Sequence, residues 1–385
     1  MSLAALVRST VLLVLAAVLA GCTTNADAEG ASVVDVDSGD DACELSATEA
    51  PAGPLTFRVR NTGDQVTEFY LLAGDGLRIV GEVENIGPGL KRDLVVVAPD
   101  GGYVTACKPG MKGSGIRGEF TVAPSGEEVG PVGDDAEVVA RANRNYRSYV
   151  TDQSAQLLEK TERFVKLYKA GSDDAARALY PVARTHWERI ETVAESFGDL
   201  DPRVDAREAD LEEGQKWTGW HVIEKDLWPQ RATDYTRLPA AERARIADLL
   251  LADTRTLDRR VQRLQYTADQ IANGSRGLLE EVATGKVTGE EEIWSHTDLW
   301  DFQANVDGAR VGFEGVKPIL ETKDPELAQT LTERFDALQE LLDAQRTDDG
   351  FVYYDELTPQ QVKELSNAVN ALSEPLSQLT GAVLS

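Results

Sequence analysis

The sequence predicts a multidomain protein in which a small β-sandwich precedes an all-α, antiparallel helical bundle. Between residues 43 and 122, short apolar runs alternate at period two and are separated by Gly and Pro, which is typical of strands. From residue 137 to the C-terminus, apolar residues recur at helical spacing instead. The length of 385 residues fits two or three domains.

The chain is strongly acidic. Its 66 Asp and Glu residues outnumber its 39 Lys and Arg residues and give a net charge of −27. Nucleic acids and anionic lipid surfaces are bound by clustered positive charge, so this composition argues against both as electrostatic partners. An acidic surface concentrates cations, which makes metal ions natural ligands.

Residues 1–21 have the pattern of an export signal. A single charge, Arg8, precedes an apolar run over residues 11–20 that is too short to cross a bilayer as a helix. The run ends in Leu19-Ala20-Gly21-Cys22, which resembles a bacterial lipobox. We therefore expect cleavage before Cys22 and lipidation of its thiol; the alternative is an ordinary secretory signal with a chance cysteine. A lipid anchor would place the protein on the outer face of the bacterial cytoplasmic membrane, and otherwise it would be periplasmic.

The predicted β domain follows a segment, residues 22–42, whose Ala, Asp, Ser and Gly content predicts a flexible tether. The domain itself covers residues 43–122, and its spacing of strands and turns favours a small sandwich or barrel. We predict strands over residues 55–60, 68–72, 78–83, 94–97, 103–107 and 118–122. Two cysteines remain in the exported chain, Cys43 and Cys107, and an even pair there predicts one disulfide.

A late cysteine followed by methionine, here Cys107 and Met111, makes the β domain resemble a cupredoxin. A blue-copper centre needs two histidines and a cysteine thiolate, but the three histidines of this chain all lie in the helical half. The β domain therefore lacks the ligands for copper. Three acidic residues, Glu68, Glu82 and Glu84, form a candidate second metal site there, with solvated surface charge as the alternative.

A Gly- and Pro-containing linker over residues 123–136 precedes the helical domain, residues 137–385. Apolar positions between Leu157 and Tyr168 predict a first helix that ends at Gly171. Further helices are expected over about residues 174–198, 206–228, 239–284, 288–315, 324–345 and 359–382. Short connections between them predict an antiparallel bundle.

The helical domain carries a sparse set of metal-ligating residue types. His221 and Glu224 are three residues apart and share one helix face, so both could bind one ion. Acidic residues precede them at 188–191 and 199–205. Carboxylates with one imidazole suit iron, manganese or zinc rather than copper(I). A hydrogen bond or ion pair on the helix face is the alternative for the His221–Glu224 pair.

Longer motifs around these residues resemble the EfeO-type iron-uptake family. They are Thr218-Gly-Trp-His-Val-Ile-Glu224, Glu188-Arg-Ile-Glu191, Ser295-His-Thr-Asp-Leu-Trp-Asp-Phe-Gln-Ala-Asn-Val-Asp-Gly308 and Asp349-Gly-Phe351. The resemblance covers nearly all of the chain after the export signal. It implies a cupredoxin-like domain followed by an imelysin-like helical domain.

The resemblance also implies a ligand set in the helical domain. The matching positions are His221 and Glu224, with Glu188 and Asp205 upstream. Asp205 stands closer to the histidine than in the family pattern, and its neighbours Asp201 and Asp210 could replace it. Second-tier candidates are His186, His296 and Asp298.

The function implied by the resemblance is the capture of ferrous or ferric iron and its delivery to a membrane permease, with a haem peroxidase as companion. Iron would be cargo, and zinc or another divalent metal is a further candidate. One alternative is a metal-dependent peptidase, but His-Glu-x-x-His is absent and Lys225 after Glu224 breaks the inverted motif. Another alternative is a non-catalytic, polymer-binding lipoprotein. We expect no enzymatic activity, and a ferroxidase role is poorly supported without histidine in the β domain.

Overall fold

The structure is a computed structural model that describes residues 32–76, 79–126, 134–211, 214–284 and 286–384. The predicted export signal, Cys22 with its predicted lipidation, and the first part of the predicted tether lie outside the described residues. So do residues 127–133 of the predicted linker.

The first domain is a sandwich of two sheets, as predicted. Its strands are β1 (Ser32–Ser38), β2 (Cys43–Leu45), β3 (Glu49–Pro51), β4 (Gly53–Asn61), β5 (Thr67–Ala73), β6 (Ile79–Ile86), β7 (Lys91–Ala98), β8 (Gly101–Cys107) and β9 (Ile116–Ala123). One sheet has the order β2-β1-β4-β7 and the other the order β3-β9-β8-β5-β6. The six predicted strands correspond to β4 through β9. Their inward apolar side chains form one core between the sheets.

The predicted tether is wrong for residues 32–42, because the β domain begins earlier, at Ser32. β1 pairs in parallel with β4 from Ser32 opposite Leu55 to Ser38 opposite Asn61. Valine and aspartate alternate along β1, with Val34 and Val36 buried and the aspartates exposed. This is the period of a half-buried strand. The Asp residues give the segment the average composition of a solvated linker and hide that period.

Cys43 at the start of β2 is bonded to Cys107 at the end of β8, so the predicted disulfide is present. The bridge joins the two sheets, since β2 belongs to one and β8 to the other. It closes a loop with a sequence separation of 64 residues. Such a cross-link stabilises the domain mainly by restricting its unfolded chain.

The second domain is helical, as predicted. Its helices are α1 (Asp134–Lys169), α2 (Asp173–Glu188), α3 (Asp201–Val204), α4 (Trp220–Leu227), α5 (Ala240–Val261), α6 (Ala268–Thr284), α7 (Asp298–Lys323), α8 (Pro325–Asp343), α9 (Pro359–Leu376) and α10 (Leu379–Leu384). A short hairpin, β10 (Arg346–Thr347) with β11 (Gly350–Phe351), joins α8 to α9. One apolar core lies mainly between α1, α2, α4 and α5, and a second lies mainly between α6, α7, α8 and α9. No helix among these residues is long and apolar enough to cross a membrane.

Several of the predicted helices differ from the structure. The range 174–198 is α-helical only as far as Glu188, and a 3₁₀ segment follows at Glu191–Leu200. The range 206–228 is helical mainly over α4, the range 239–284 is broken between α5 and α6, and the range 288–315 becomes α7 only at Asp298. Gly219 explains the late start of α4. Its φ of +96° is left-handed, and a Cβ there would lie 2.1 Å from the carbonyl oxygen of Val204. The chain therefore bends sharply just before His221.

Helix α6 holds the two domains together through hydrogen bonds between its side chains and the backbone of the edge strand β7. Asp269 Oδ2 accepts a hydrogen bond from the Val97 amide at 3.0 Å, and Asn273 Nδ2 donates to the Val95 carbonyl at 2.7 Å. Arg276 donates to the carbonyl of Asp93 at 3.2 Å. One helix face thus meets every second residue of an edge strand whose polar groups would otherwise lack partners.

Candidate metal site

A buried cluster of charged side chains lies where α2, α4 and α7 meet the loops at residues 205 and 291–292. We call it the carboxylate cluster. The side chains of its members are buried, and that of Asp205 is 7% exposed. They are Arg184, Glu188, Asp205, His221, Glu224, Lys286, Glu291, Glu292, Asp298 and Asp301. Charged groups are rarely buried in such number without a specific role.

His221, which is 1% exposed, is the centre of the cluster. Its Nε2 is 3.4 Å from Asp205 Oδ1 and 3.4 Å from Glu291 Oε1. Its Nδ1 is 3.4 Å from Glu224 Oε2 and 3.9 Å from Glu292 Oε1. The imidazole therefore has two carboxylates on each ring nitrogen.

This arrangement forms two groups of three ligand atoms that lie within 4.8 Å of one another. One group is Asp205, His221 and Glu291, and the other is His221, Glu224 and Glu292. The two share the imidazole. Either group supplies oxygen and nitrogen ligands of the kind that iron, manganese and zinc accept.

Backbone and hydroxyl donors orient the carboxylates on the Glu224 side of the histidine. The amides of Trp294 and Ser295 donate to Glu224 Oε1 at 2.9 and 2.6 Å, which leaves Oε2 toward His221. Glu292 accepts from the Ser295 hydroxyl at 2.6 Å and from the Tyr180 hydroxyl at 3.1 Å. The second ligand group is thus fixed before any ion arrives.

Arg184 is the main compensating charge and is fully buried. Its guanidinium contacts five carboxylates, those of Glu188, Asp205, Glu291, Glu292 and Asp301. Burial opposes the charge, but the surrounding carboxylates outweigh it and hold the pKa of Arg184 above its ordinary value. The arginine therefore stays charged and separates groups that would otherwise repel each other.

The carboxylates of the cluster differ in acidity. Burial raises the pKa of Asp298 to about 7 and raises that of Glu292 well above its usual range. Burial also disfavours the charge on Glu291, but Lys286 and His221 outweigh it and lower the pKa of Glu291 to about 2. For His221, burial and Arg184 lower the pKa, but the neighbouring carboxylates of Asp205, Glu224 and Glu291 raise it above the usual range. Glu291 is thus a charged ligand candidate at neutral pH.

Three of the four predicted ligands come together in the structure. Asp205 and Glu224 both lie beside the imidazole of His221, although Asp205 precedes the histidine by 16 positions in the sequence. Glu188 lies on the other side of Arg184 instead. It is 2.8 Å from Lys286 and accepts from Asn305 Nδ2 at 2.9 Å. It is a member of neither three-ligand group.

The other predicted candidates have separate positions. Asp201 and Asp210 line the cleft beside the cluster. His186 Nδ1 is 2.8 Å from Gln153, and His296 Nε2 is 3.7 Å from Asp355. Asp298 Oδ1 accepts from the Glu292 amide at 3.1 Å and so braces the loop that carries the ligand candidates.

The sequence-based prediction missed Glu291 and Glu292. They belong to the run Glu290-Glu291-Glu292, which directly precedes the Ser295-to-Gly308 motif. Only Glu290 is exposed, whereas Glu291 and Glu292 are 4% and 0% exposed. Their closeness to that motif was the available signal. A run of three acidic residues is nevertheless typical of a solvated surface.

The carboxylate cluster opens into a cleft of about 700 Å³ between the two domains. Asp205 and Glu291 line it from the helical side, and Glu82 and Glu84 line it from the β domain. Glu68 is buried behind them and accepts from the Tyr70 hydroxyl at 2.7 Å. Burial raises the pKa of Glu68. Within the described residues, Glu68, Glu82 and Glu84 form no group of three converging ligand atoms.

Comparison with protein families divides the chain as the structure does. The family model of the cupredoxin-like domain matches residues 11–122, and that of imelysin matches residues 142–379.

Full-length relatives give the same result for the chain as a whole. It is 37% identical over 362 residues to an iron uptake system component EfeO of Yersinia pestis, covering 93% of both chains. It is 34% identical to the protein of that name from Escherichia coli O6:K15:H31, with 98% of each chain covered. A protein described as an EfeM/EfeO family lipoprotein of Staphylococcus haemolyticus is 44% identical over 250 residues, covering 64% of this chain and 85% of that one.

Proposed function

Because the chain belongs to the EfeO family of iron-uptake components, as its motifs predicted, we propose that it captures ferrous or ferric iron outside the cytoplasm and delivers it to a membrane permease. The observation that carries this proposal is that ligand atoms of Asp205, His221 and Glu291 converge in the interior. Glu224 and Glu292 lie on the other side of the His221 imidazole. Hard oxygen ligands with one imidazole favour iron over softer ions.

Charge balance supports the binding of a cation at this place. The carboxylates of the cluster outnumber its permanent cations, Arg184 and Lys286, and His221 gives up any ring proton at the nitrogen that binds a metal ion. A bound dication would compensate charges that the protein compensates only in part. Glu188, the fourth predicted ligand, would support the site through Arg184 rather than bind the ion in the arrangement seen here.

The cleft supplies a path for the ion. Its walls carry Glu82 and Glu84 on one side and Asp205 and Glu291 on the other, with Lys108 and Arg207 between them, so carboxylates are available from the β domain to the ligands. We propose that Glu68, Glu82 and Glu84 act as the second, weaker place for a cation on this path. Without three converging ligand atoms, they would hold an ion less tightly than the His221 groups.

The proposed location and partners follow from the sequence and from the relatives. A relative described as a lipoprotein supports lipidation at Cys22 and a place on the outer face of the cytoplasmic membrane. A membrane permease and a haem peroxidase are the proposed partners. The proposed role is binding and delivery without catalysis. A zinc peptidase would need an ion with an open coordination position and a general base, and the His-Glu-x-x-His motif that supplies them is absent from the sequence.

The test is calorimetric titration of the protein with Fe²⁺ under anaerobic conditions, followed by Mn²⁺ and Zn²⁺. We expect saturable iron binding that is lost when His221→Ala and Glu224→Ala are combined. The control is His296→Asn, which removes a histidine outside the cluster; Asn tolerates the backbone φ of 60° at that position.

Two outcomes would contradict the proposal or part of it. Iron binding of unchanged affinity in the double variant would exclude the carboxylate cluster as the site. Glu82→Gln combined with Glu84→Gln then tests the cleft. If these cleft substitutions leave the rate and affinity of iron binding unchanged in an otherwise native chain, the proposed path is wrong.

A further inference from the structure

A buried lysine, Lys286, lies beside the proposed iron ligands and is one of the compensating cations of the carboxylate cluster. It is 1% exposed and starts a short 3₁₀ turn, Lys286–Thr288, just beyond α6. Its ammonium is 2.7 Å from Glu191 Oε2, 2.8 Å from Glu188 Oε2 and 4.0 Å from Glu291 Oε1. Three carboxylates from two separate segments therefore converge on one compact cation.

The surroundings of the ammonium resemble those that a metal ion requires. Asn305 Nδ2 donates to the same two oxygens, Glu188 Oε2 and Glu191 Oε2, at 2.9 and 2.8 Å. The other amide atom, Asn305 Oδ1, is buried and has no hydrogen-bond partner among the described residues. Rotation of this amide would turn an oxygen toward the carboxylates. The place filled by the ammonium thus has oxygen ligands on several sides.

Lys286 and an ion at His221 would compete for the negative charge of Glu291. Glu291 Oε1 is 4.0 Å from the lysine Nζ and 3.4 Å from His221 Nε2. An ion held by Asp205, His221 and Glu291 would lie within a few ångströms of the ammonium, where like charges repel strongly in a poorly hydrated interior. Movement of one of the two cations would relieve this repulsion.

Lys286 is better suited to move than Arg184, the other buried cation. Arg184 contacts five carboxylates through a planar, rigid fork and stands on the regular helix α2. Lys286 carries a point charge on a flexible stem and stands on a short turn. The cleft next to it is also lined by Glu281, a further carboxylate that could receive the displaced ammonium.

We propose that the Lys286 ammonium is a built-in counter-cation that holds Glu188, Glu191 and Glu291 in place and is displaced toward the cleft when a metal ion binds. The lysine keeps its charge throughout, so the step is an exchange of one cation for another. The exchange lowers the affinity for the metal and allows release, which a delivery protein needs. This inference rests on the proposed function, because it takes a metal ion as the ligand.

The first test is binding of Mn²⁺, a hard dication that is stable in air at neutral pH, to Lys286→Met. Methionine keeps a similar length without the charge, so we expect binding about tenfold tighter than in the unmodified protein or more. Lys169→Met is the matched control, because it also removes one positive charge but from an exposed ion pair with Asp248. Equal or weaker Mn²⁺ binding by a folded Lys286→Met protein would overturn the proposal.

The second test uses the unmodified protein, because Lys286→Met leaves buried carboxylates uncompensated and could fail to fold. Amine acetylation followed by mass spectrometry measures how accessible Lys286 is with and without Mn²⁺. We expect a several-fold increase in its modification when Mn²⁺ binds, with Lys169 unchanged. If Mn²⁺ binds and Lys286 stays protected, the displacement is wrong while the proposed function stands. If Mn²⁺ and Fe²⁺ both fail to bind, the proposed function and this inference are both wrong.

Discussion

The apolar core of the β domain and the carboxylate cluster of the helical domain are filled with opposite kinds of side chain. Between the β sheets, Phe57 packs against Phe69 and Phe120 at ring distances of 5.2 Å, and Leu55 and Val59 are fully buried beside them. In the carboxylate cluster, which lies beside the apolar cores of the helical domain, ionisable groups surround Arg184 and His221. The first interior is stable by itself, because apolar burial needs no matching partner. The second depends on the balance of its charges.

This difference explains why only one interior is suited to bind an ion. An apolar core gains nothing from an added cation. A core with more carboxylates than cationic groups gains a counter-charge, so its stability becomes linked to the ion by mass action. The domain with the disulfide and the apolar core would then serve as a fixed wall of the cleft, held by α6 against strand β7.

The largest effect is expected from removing the central cation of the charged interior. Arg184→Met leaves up to five buried carboxylates without their partner, and the expected loss is about 5 kcal/mol or more of unfolding free energy. Urea denaturation followed by circular dichroism measures it. Saturating Mn²⁺ should restore part of the loss, since a dication supplies counter-charge in the same cluster.

Two control variants accompany Arg184→Met. Arg310→Met breaks an exposed pair with Asp336 and should change stability by less than about 1 kcal/mol. Leu55→Ala in the β core should cost about 2–5 kcal/mol, and Mn²⁺ should restore none of it. A metal-dependent recovery of Leu55→Ala would contradict the contrast between the two interiors.

The next effect concerns the covalent support of the apolar interior. Replacing Cys43 and Cys107 by serine should destabilise the β domain by about 4 kcal/mol, as the chain-entropy relation gives for a loop closed over 64 residues. Thermal unfolding of the double variant beside the unmodified protein measures this loss. Mn²⁺ affinity at a temperature where both are folded should stay the same, because the ligands belong to the helical domain. A large fall in affinity would show that the β domain does more than form one wall of the cleft.

The same contrast decides how much of the fold the sequence reveals. Strands β4 to β9 and helices such as α8 are predictable because their buried positions are apolar and repeat at the period of the element. β1 was missed because Asp35 and Asp37 on its exposed face resemble a solvated linker. The loop residues 205–211, 214–219 and 289–297 are in part predicted as helix from the sequence. Their fold depends on close approaches such as that of Gly219 to Val204. No local periodicity encodes such a contact.

The candidate site was predictable only where a motif marks it. His221 and Glu224 are recognisable because a histidine and a carboxylate share one helix face, and Asp205 follows from the family pattern. Arg184 and Lys286 carry charges that a sequence places at the surface by default. Their burial follows from the long-range pairing of α2, α7 and the turn after α6, and a single sequence does not show that pairing.

The smallest predicted effect is a difference in Mn²⁺ affinity between substitutions at two neighbouring acidic residues, Glu290 and Glu291. Glu291→Gln removes a charged ligand candidate 3.4 Å from His221 Nε2, and we expect Mn²⁺ affinity to fall about 10- to 100-fold. Glu290→Gln changes the exposed neighbour in the same way and should leave the affinity within about twofold, since exposed charges are screened by solvent and salt. Calorimetric titration of both variants under one buffer measures the difference. An equal loss of affinity in both variants would mean that the acidic run acts through its overall electrostatic field. An unchanged affinity in Glu291→Gln would exclude the Asp205–His221–Glu291 group. The ion would then bind on the side of the imidazole that faces Glu224 and Glu292.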